Sequence, residues 1–221
     1  MRWPFLVVAM VGSGLAADPA AADVAPSFTL AATDWQIVKR ESGPTNYYTV
    51  MSDAEPARSF VRASYRPPMK TAVLGHQVAE SDRSRITRVK WSWRAITLPN
   101  GGDECTSGKG DSAAVVYVMW KRGLRYYTLK YVWSAVGQKG KICDSKRNLF
   151  VAQDTIIVDS GGPLATWRTV DIDLAHEFRA HFEGGDPKAE VPDFVGLGLM
   201  SDGDQTSSPS SADYADVTLT R

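Results

Sequence analysis

The chain has 221 residues, 43% of them hydrophobic and 23% charged, with 25 Lys and Arg against 25 Asp and Glu. That length suits one globular domain with a core of its own. The balanced charge excludes the long-range attraction that draws a basic protein to nucleic acid.

Met1-Arg2 makes a short positive start, and an apolar run from Phe5 to Leu15 and a small-residue tract ending at Ala22 follow. This is the three-part layout of a secretory signal, with cleavage fitting after Ala16 or after Ala22. The run of about eleven residues is too short to span a bilayer, which takes about twenty. The sequence therefore predicts a signal peptide over 1–22, a single domain over 23–221, a periplasmic or secreted location, and no membrane span after signal removal.

Short strands are expected at Trp35–Val38, Thr45–Met51 and Phe60–Tyr65, the last stopped by Pro67-Pro68. From Ile86 to Ile96 the alternation is strict. Val89, Trp91, Trp93 and Ala95 share a core face, and Arg88, Lys90, Ser92 and Arg94 share the other. Ala113–Trp120 is apolar on both faces, as in a central strand, and forms a hairpin with Tyr126–Trp133. Further strands are expected at Ile156–Val158, Val195–Met200 and Tyr214–Leu219. One helix is expected over Asp173–Phe182, with Leu174, Phe178 and Phe182 on one face, Asp173 as cap and Gly184-Gly185 as stop. Eight or more short strands and one short helix predict a mostly β fold. The form expected is a two-sheet antiparallel β-sandwich, jelly-roll, concanavalin-like or galactose-binding-like.

Cys105 and Cys143 are the two cysteines. Antiparallel partners have residue numbers of nearly constant sum. The hairpin turns near 123–124 and the cysteines centre on 124, so folding the hairpin is expected to bring them together as a disulfide. Neither C-x-x-C spacing nor neighbouring His residues suggest a metal or redox pair.

Several stretches resemble a bacterial family known as domain of unknown function 3047. They are Trp91-Ser92-Trp93-Arg94, Lys109-Gly110-Asp111, Tyr131-Val132-Trp133, the series Trp167, Asp173, Phe178, and Asp202-Gly203-Asp204-Gln205-Thr206 followed by Ala212, Tyr214 and Asp216. Gln205 stands where the family usually has Asn, and Ala215-Asp216-Val217 where it has Gly-Asp-Ile. The resemblance covers roughly 60–221. It implies no activity, and its likeness to sugar-binding jelly-rolls is an analogy of fold.

Four groups of residues are candidates for chemistry. The turn Asp202, Asp204, Thr206, with Asp213 or Asp216, offers closely spaced oxygens of the kind calcium requires, although its spacing is not that of an EF-hand. The bland alternative is a solvated turn whose carboxylates cap backbone N–H groups. Asp103, Glu104 and Asp111, with Lys109, pair carboxylates with a cation for acid–base work. Arg88, Lys90 and Arg94 are candidates to line a groove for a polar or anionic glycan. Tyr127 and Trp133 are candidates to stack on sugars, with Tyr126 and Tyr131 on the same strand. His176-Glu177 with His181 misses zinc-motif spacing by one residue, which turns the two imidazoles apart on a helix. The first functional reading is an exported β-sandwich that binds a polar ligand such as a glycan. The alternatives are a polysaccharide hydrolase or lyase, and a structural envelope protein without a small ligand.

Overall fold

The computed structural model describes residues 25–38 and 45–221, so the expected signal peptide lies outside the described residues. The strands, in chain order, are β1 (Ser27–Thr29), β2 (Gln36–Val38), β3 (Tyr47–Asp53), β4 (Arg58–Tyr65), β5 (Val73–Gln77), β6 (Arg88–Thr97), β7 (Ser112–Arg122), β8 (Arg125–Ser134), β9 (Ile142–Arg147), β10 (Val151–Ser160) and β11 (Arg168–Asp173). Helix α1 (Leu174–Phe182) follows, then β12 (Asp193–Met200) and β13 (Ser210–Thr220). They form the expected two-sheet sandwich with one α-helix. One sheet runs β11-β6-β13-β4-β3 with β1 beside β13, and the other runs β2-β5-β12-β7-β8-β10-β9. The second sheet is not wholly antiparallel, because β10 lies parallel to β8 and β9 folds back on the outer side of β10.

The alternation in β6 has the expected consequence. Val89, Trp91, Trp93 and Ala95 are fully buried, and their rings meet those of β8 across the sandwich. Trp91 lies 5.3 Å from Tyr131 and Trp93 lies 6.1 Å from Trp133, ring centre to ring centre. The helix closes one end of the core through Phe178 and Phe182, which pack on Trp120 and Tyr127. Asp173 caps it by accepting the His176 N–H at 2.8 Å. Its polar side is tied down by Tyr131, which donates to Glu177, and by His181, hydrogen-bonded to Asp154. No helix of the described residues is long and apolar enough to cross a membrane.

Cys105 and Cys143 form a disulfide, but not where the hairpin sum places it. Cys143 sits on the edge strand β9, level with Thr155 of β10, which is level with Lys130 of β8. The bond therefore draws the loop before β7 across the outer face of the second sheet. That placement builds the cleft described next.

Candidate functional site

The outer face of the second sheet carries Tyr117 of β7 level with Lys130 of β8, and Gln153 of β10 two residues along from Thr155, the residue level with Lys130. The loop tied down by Cys105 lies over these three side chains. With Asp202 and Gln205 from the turn after β12, these groups line a cavity of about 530 Å³. Glu104, next to the disulfide, reaches in and accepts hydrogen bonds from the Lys130 ammonium and the Ser112 hydroxyl, each at 2.8 Å. Lys130 and Glu104 are each 8% exposed. Burial works against the Lys130 charge, but its interactions with Tyr117, Glu104 and Asp202 outweigh it and hold the ammonium above the ordinary lysine range.

Asp103 and Asp111 have different tasks. Asp103 shapes the loop, accepting from the Cys105 N–H at 3.0 Å and the Thr106 hydroxyl at 2.7 Å. Asp111 is fully buried and holds the acidic turn by accepting the N–H groups of Gln205 and Thr206. The turn needs glycine at position 203, where a Cβ would collide with the Ser208 carbonyl and the Tyr65 ring.

The expected metal set is only partly assembled. Asp202 and Asp204 converge, and their third partner is Asp111; the carboxylate oxygens of the three lie within 4.8 Å of one another. Among the described residues this trio offers three ligand atoms to one ion. Asp216 is not part of it, because it pairs with Arg58 at 3.1 Å on the other sheet. Asp213 is held by Arg62 and Arg94. The Thr206 hydroxyl is bonded to Ser208. Burial first, then the Asp204 and Asp111 charges, push the Asp202 carboxyl up to about 7 against the opposing pull of Lys130. Burial and Asp111 raise Asp204 as well. The crowding of three carboxylates is thus relieved by a proton on Asp202 near neutral pH.

A titration tests this. The folded chain holds the Asp202 proton more tightly than the unfolded chain does. The stabilisation is therefore complete below the ordinary carboxylate range and is lost as pH rises through about 7. Thermal melting is expected to decline between about pH 4 and about pH 7 and to level off above that, and Asp202→Asn to flatten much of that decline. Identical pH profiles for the two proteins would contradict the assignment.

Two other expected sites are corrected. Tyr127 and Trp133 point inward, 7% and 0% exposed. Tyr127 packs on Phe178, and the Trp133 indole donates to the Gly161 carbonyl at 2.8 Å. Neither ring is offered to a ligand; the outward ring of that strand is Tyr126, 43% exposed. The basic face of β6 lies on the opposite sheet from the cleft. Arg88 is paired with Asp171 and Lys90 is exposed. Arg94 is consumed by ion pairs to Asp213 and Asp53, with its guanidinium stacked 4.4 Å from the Trp167 ring. The set Tyr117, Lys130, Gln153 is not among the expected sites. Its one local signal is Lys130, a lone cation inside the run Tyr126–Trp133.

No curated protein matches the sequence. Two solved structures are similar to it at low identity. The xyloglucanase domain of NopAA, a type three effector from Sinorhizobium fredii in complex with cellobiose, is 11% identical, covering 89% of this chain and 97% of that one, with a TM-score of 0.44. Endoglucanase 3 of Trichoderma harzianum, from family GH12, is also 11% identical, covering 91% and 99%, with a TM-score of 0.34. A family model described as protein of unknown function (DUF3047) matches residues 33–218, and the chain belongs to that family.

Proposed function

We propose that the chain binds a polar, hydroxyl-rich ligand, a glycan, in the cleft on the outer face of the second sheet. The observation that carries this reading is the set of polar groups held beside open space: Lys130, Glu104 and Asp202 are more than nine-tenths buried, yet line a cavity of about 530 Å³ with Tyr117 and Gln153. Polar groups fixed in a concavity supply orientation and specificity to a ligand. Lys130 is matched by Glu104, and Asp202 is half-protonated near neutral pH. The cleft thus offers hydrogen bonds without a strong field of either sign, which favours neutral glycans over polyanions.

One observation favours a second reading, hydrolysis or elimination on a polysaccharide. A carboxyl raised to about 7 beside other carboxylates is an acid and a base kept apart by their surroundings. Glycan-array binding and a reducing-sugar assay on the same protein separate the two. Binding is expected, with Gln153→Ala and Tyr117→Phe each weakening it by about tenfold, the value of roughly one good hydrogen bond. Absence of binding across neutral and charged glycans would defeat the first reading, and sugar release would establish the second. We also read the chain as exported with residues 1–22 removed. The disulfide supports this, since such bonds persist in oxidising compartments; the intact mass of protein recovered from the producing cell tests it.

A further inference from the structure

Two neighbouring hairpin tips carry the same short pattern, Lys-Arg-x-Leu. Lys121-Arg122-Gly123-Leu124 ends in the connection between β7 and β8, and Lys146-Arg147-Asn148-Leu149 ends in that between β9 and β10. The first is a two-residue turn. Arg122 pairs with Arg125, and Gly123 takes the positive φ of +58° that the turn demands. In the second, Asn148 accepts the N–H groups of Phe150 and Val151, which pushes Leu149-Phe150 out as the tip. The tips lie side by side, because β8 and β10 are parallel neighbours and the Tyr126 N–H donates to the Phe150 carbonyl at 2.8 Å.

Turns of this kind normally carry Gly, Asn or Asp, and solvent favours polar side chains there. Here Leu124 is 78% exposed, Leu149 77% and Phe150 56%, with Tyr126 at 43% beside them. A basic collar stands behind them: Lys121, Arg122, Arg125, Lys146 and Arg147, with no acidic residue in 121–127 or 146–151. The surroundings offset part of this charge. Arg122 is bonded to Glu183, Arg147 to Asp154, and Lys121 faces Asp193 across the ladder. The two tips themselves remain apolar points set in cationic rims.

We propose that this end of the second sheet docks on a lipid surface bearing anionic headgroups. Leu124, Leu149 and Phe150 enter the boundary between headgroups and acyl chains, and the basic collar meets the phosphates. Apolar tips backed by Lys and Arg are what interfacial binding requires. A second copy of the chain fits the patch less well, because a twofold contact would bring two cationic rims face to face. Tyr126 and Lys121 also line a second cavity on the same sheet face, so docking would hold that face next to the lipid surface. The inference rests on the tips and the basic residues behind them; of these Lys146 also lines the cleft, and the variants below leave it unchanged.

Co-sedimentation of the full chain with vesicles of phosphatidylcholine, with and without phosphatidylglycerol, tests it. Partitioning onto the anionic vesicles is expected to exceed that onto the neutral ones by about tenfold and to weaken as salt is raised. The triple variant Leu124→Ser, Leu149→Ser, Phe150→Ser is expected to lose about tenfold of that partitioning with its melting midpoint unmoved. Lys121→Glu with Arg125→Glu is expected to remove the preference for anionic lipid. The apolar run Phe5–Leu15 is common to all these proteins, so the differences report on the tips. Equal partitioning onto both lipids, or wild-type partitioning by the triple variant, would overturn the proposal. So would a concentration-dependent dimer in light scattering that the triple variant dissolves, since a second copy would then be the occupant.

Discussion

Glu104→Ala is expected to lower the stability of the fold by about 3–5 kcal/mol, read from urea unfolding, and to abolish ligand binding in the cleft. The carboxylate is the 2.8 Å partner of an ammonium whose side chain is only 9% exposed, and it also accepts from Ser112. Removing it leaves a cation on an interior strand of a sheet with its compensating charge gone. A buried charge without a partner costs far more than the pair itself contributes. The reverse change, Lys130→Met, strands Glu104 in the same way, though the loop can swing its carboxylate toward water if the disulfide allows. The double variant Glu104→Leu with Lys130→Met removes both charges and keeps the bulk. It is expected to recover most of the lost stability and none of the ligand binding. That split separates a pair kept for function from one kept for the fold. Recovery of both, or of neither, would show that the Lys130–Glu104 pair does not serve the ligand in this way.

What the sequence discloses here follows the range of the interactions. The core face of β6 is visible in four alternating pairs of residues, and the N-cap of α1 in Asp173 and its neighbours, because both are local. In β8 the alternation is equally regular, but Tyr126-Tyr127 puts a large aromatic ring on each face. Period two says that the faces differ and does not say which is inside, so the pattern leaves Tyr127 and Trp133 as stacking candidates, whereas both are core. The cysteine pairing is right for a reason only partly right. The symmetric sum treats 105 and 143 as continuations of one hairpin, whereas β9 lies two strands away from β8 with β10 between. The acidic turn announces two of its carboxylates. Its third, Asp111, is 91 residues before Asp202 in the chain and arrives only when β7 and β12 pair. The cleft is likewise a product of sheet order, since Tyr117, Lys130 and Gln153 come from three strands.

The other large effect expected lies on the opposite sheet, at Asp213. This residue stands directly across from Arg62 on β4 and from Arg94 on β6, so one carboxylate joins three adjacent strands. It is fully buried and accepts from Arg62 at 2.6 and 2.8 Å and from Arg94 at 2.7 Å. Arg94 continues the network to Asp53 on β3, and its guanidinium lies over the rings of Trp167 and Phe60. Asp213→Ala leaves two guanidinium groups facing each other across an empty site, one of them only 13% exposed in its side chain. The expected loss is about 3–5 kcal/mol, the range for breaking a buried pair by removing one partner. Asp216, three residues along the same strand, supplies the comparison. Its pair with Arg58 is 45% and 27% exposed in the two side chains, and Asp216→Asn keeps a residue that tolerates its positive φ of 51°. That change is expected to cost less than about 1 kcal/mol. Urea unfolding of both variants makes the test. If Asp213→Ala costs no more than Asp216→Asn, the three-strand clasp is not what holds β4, β13 and β6 in register. The surplus positive charge on that face would then have to be carried by Asp53, already the partner of Arg94 and of the Trp167 indole.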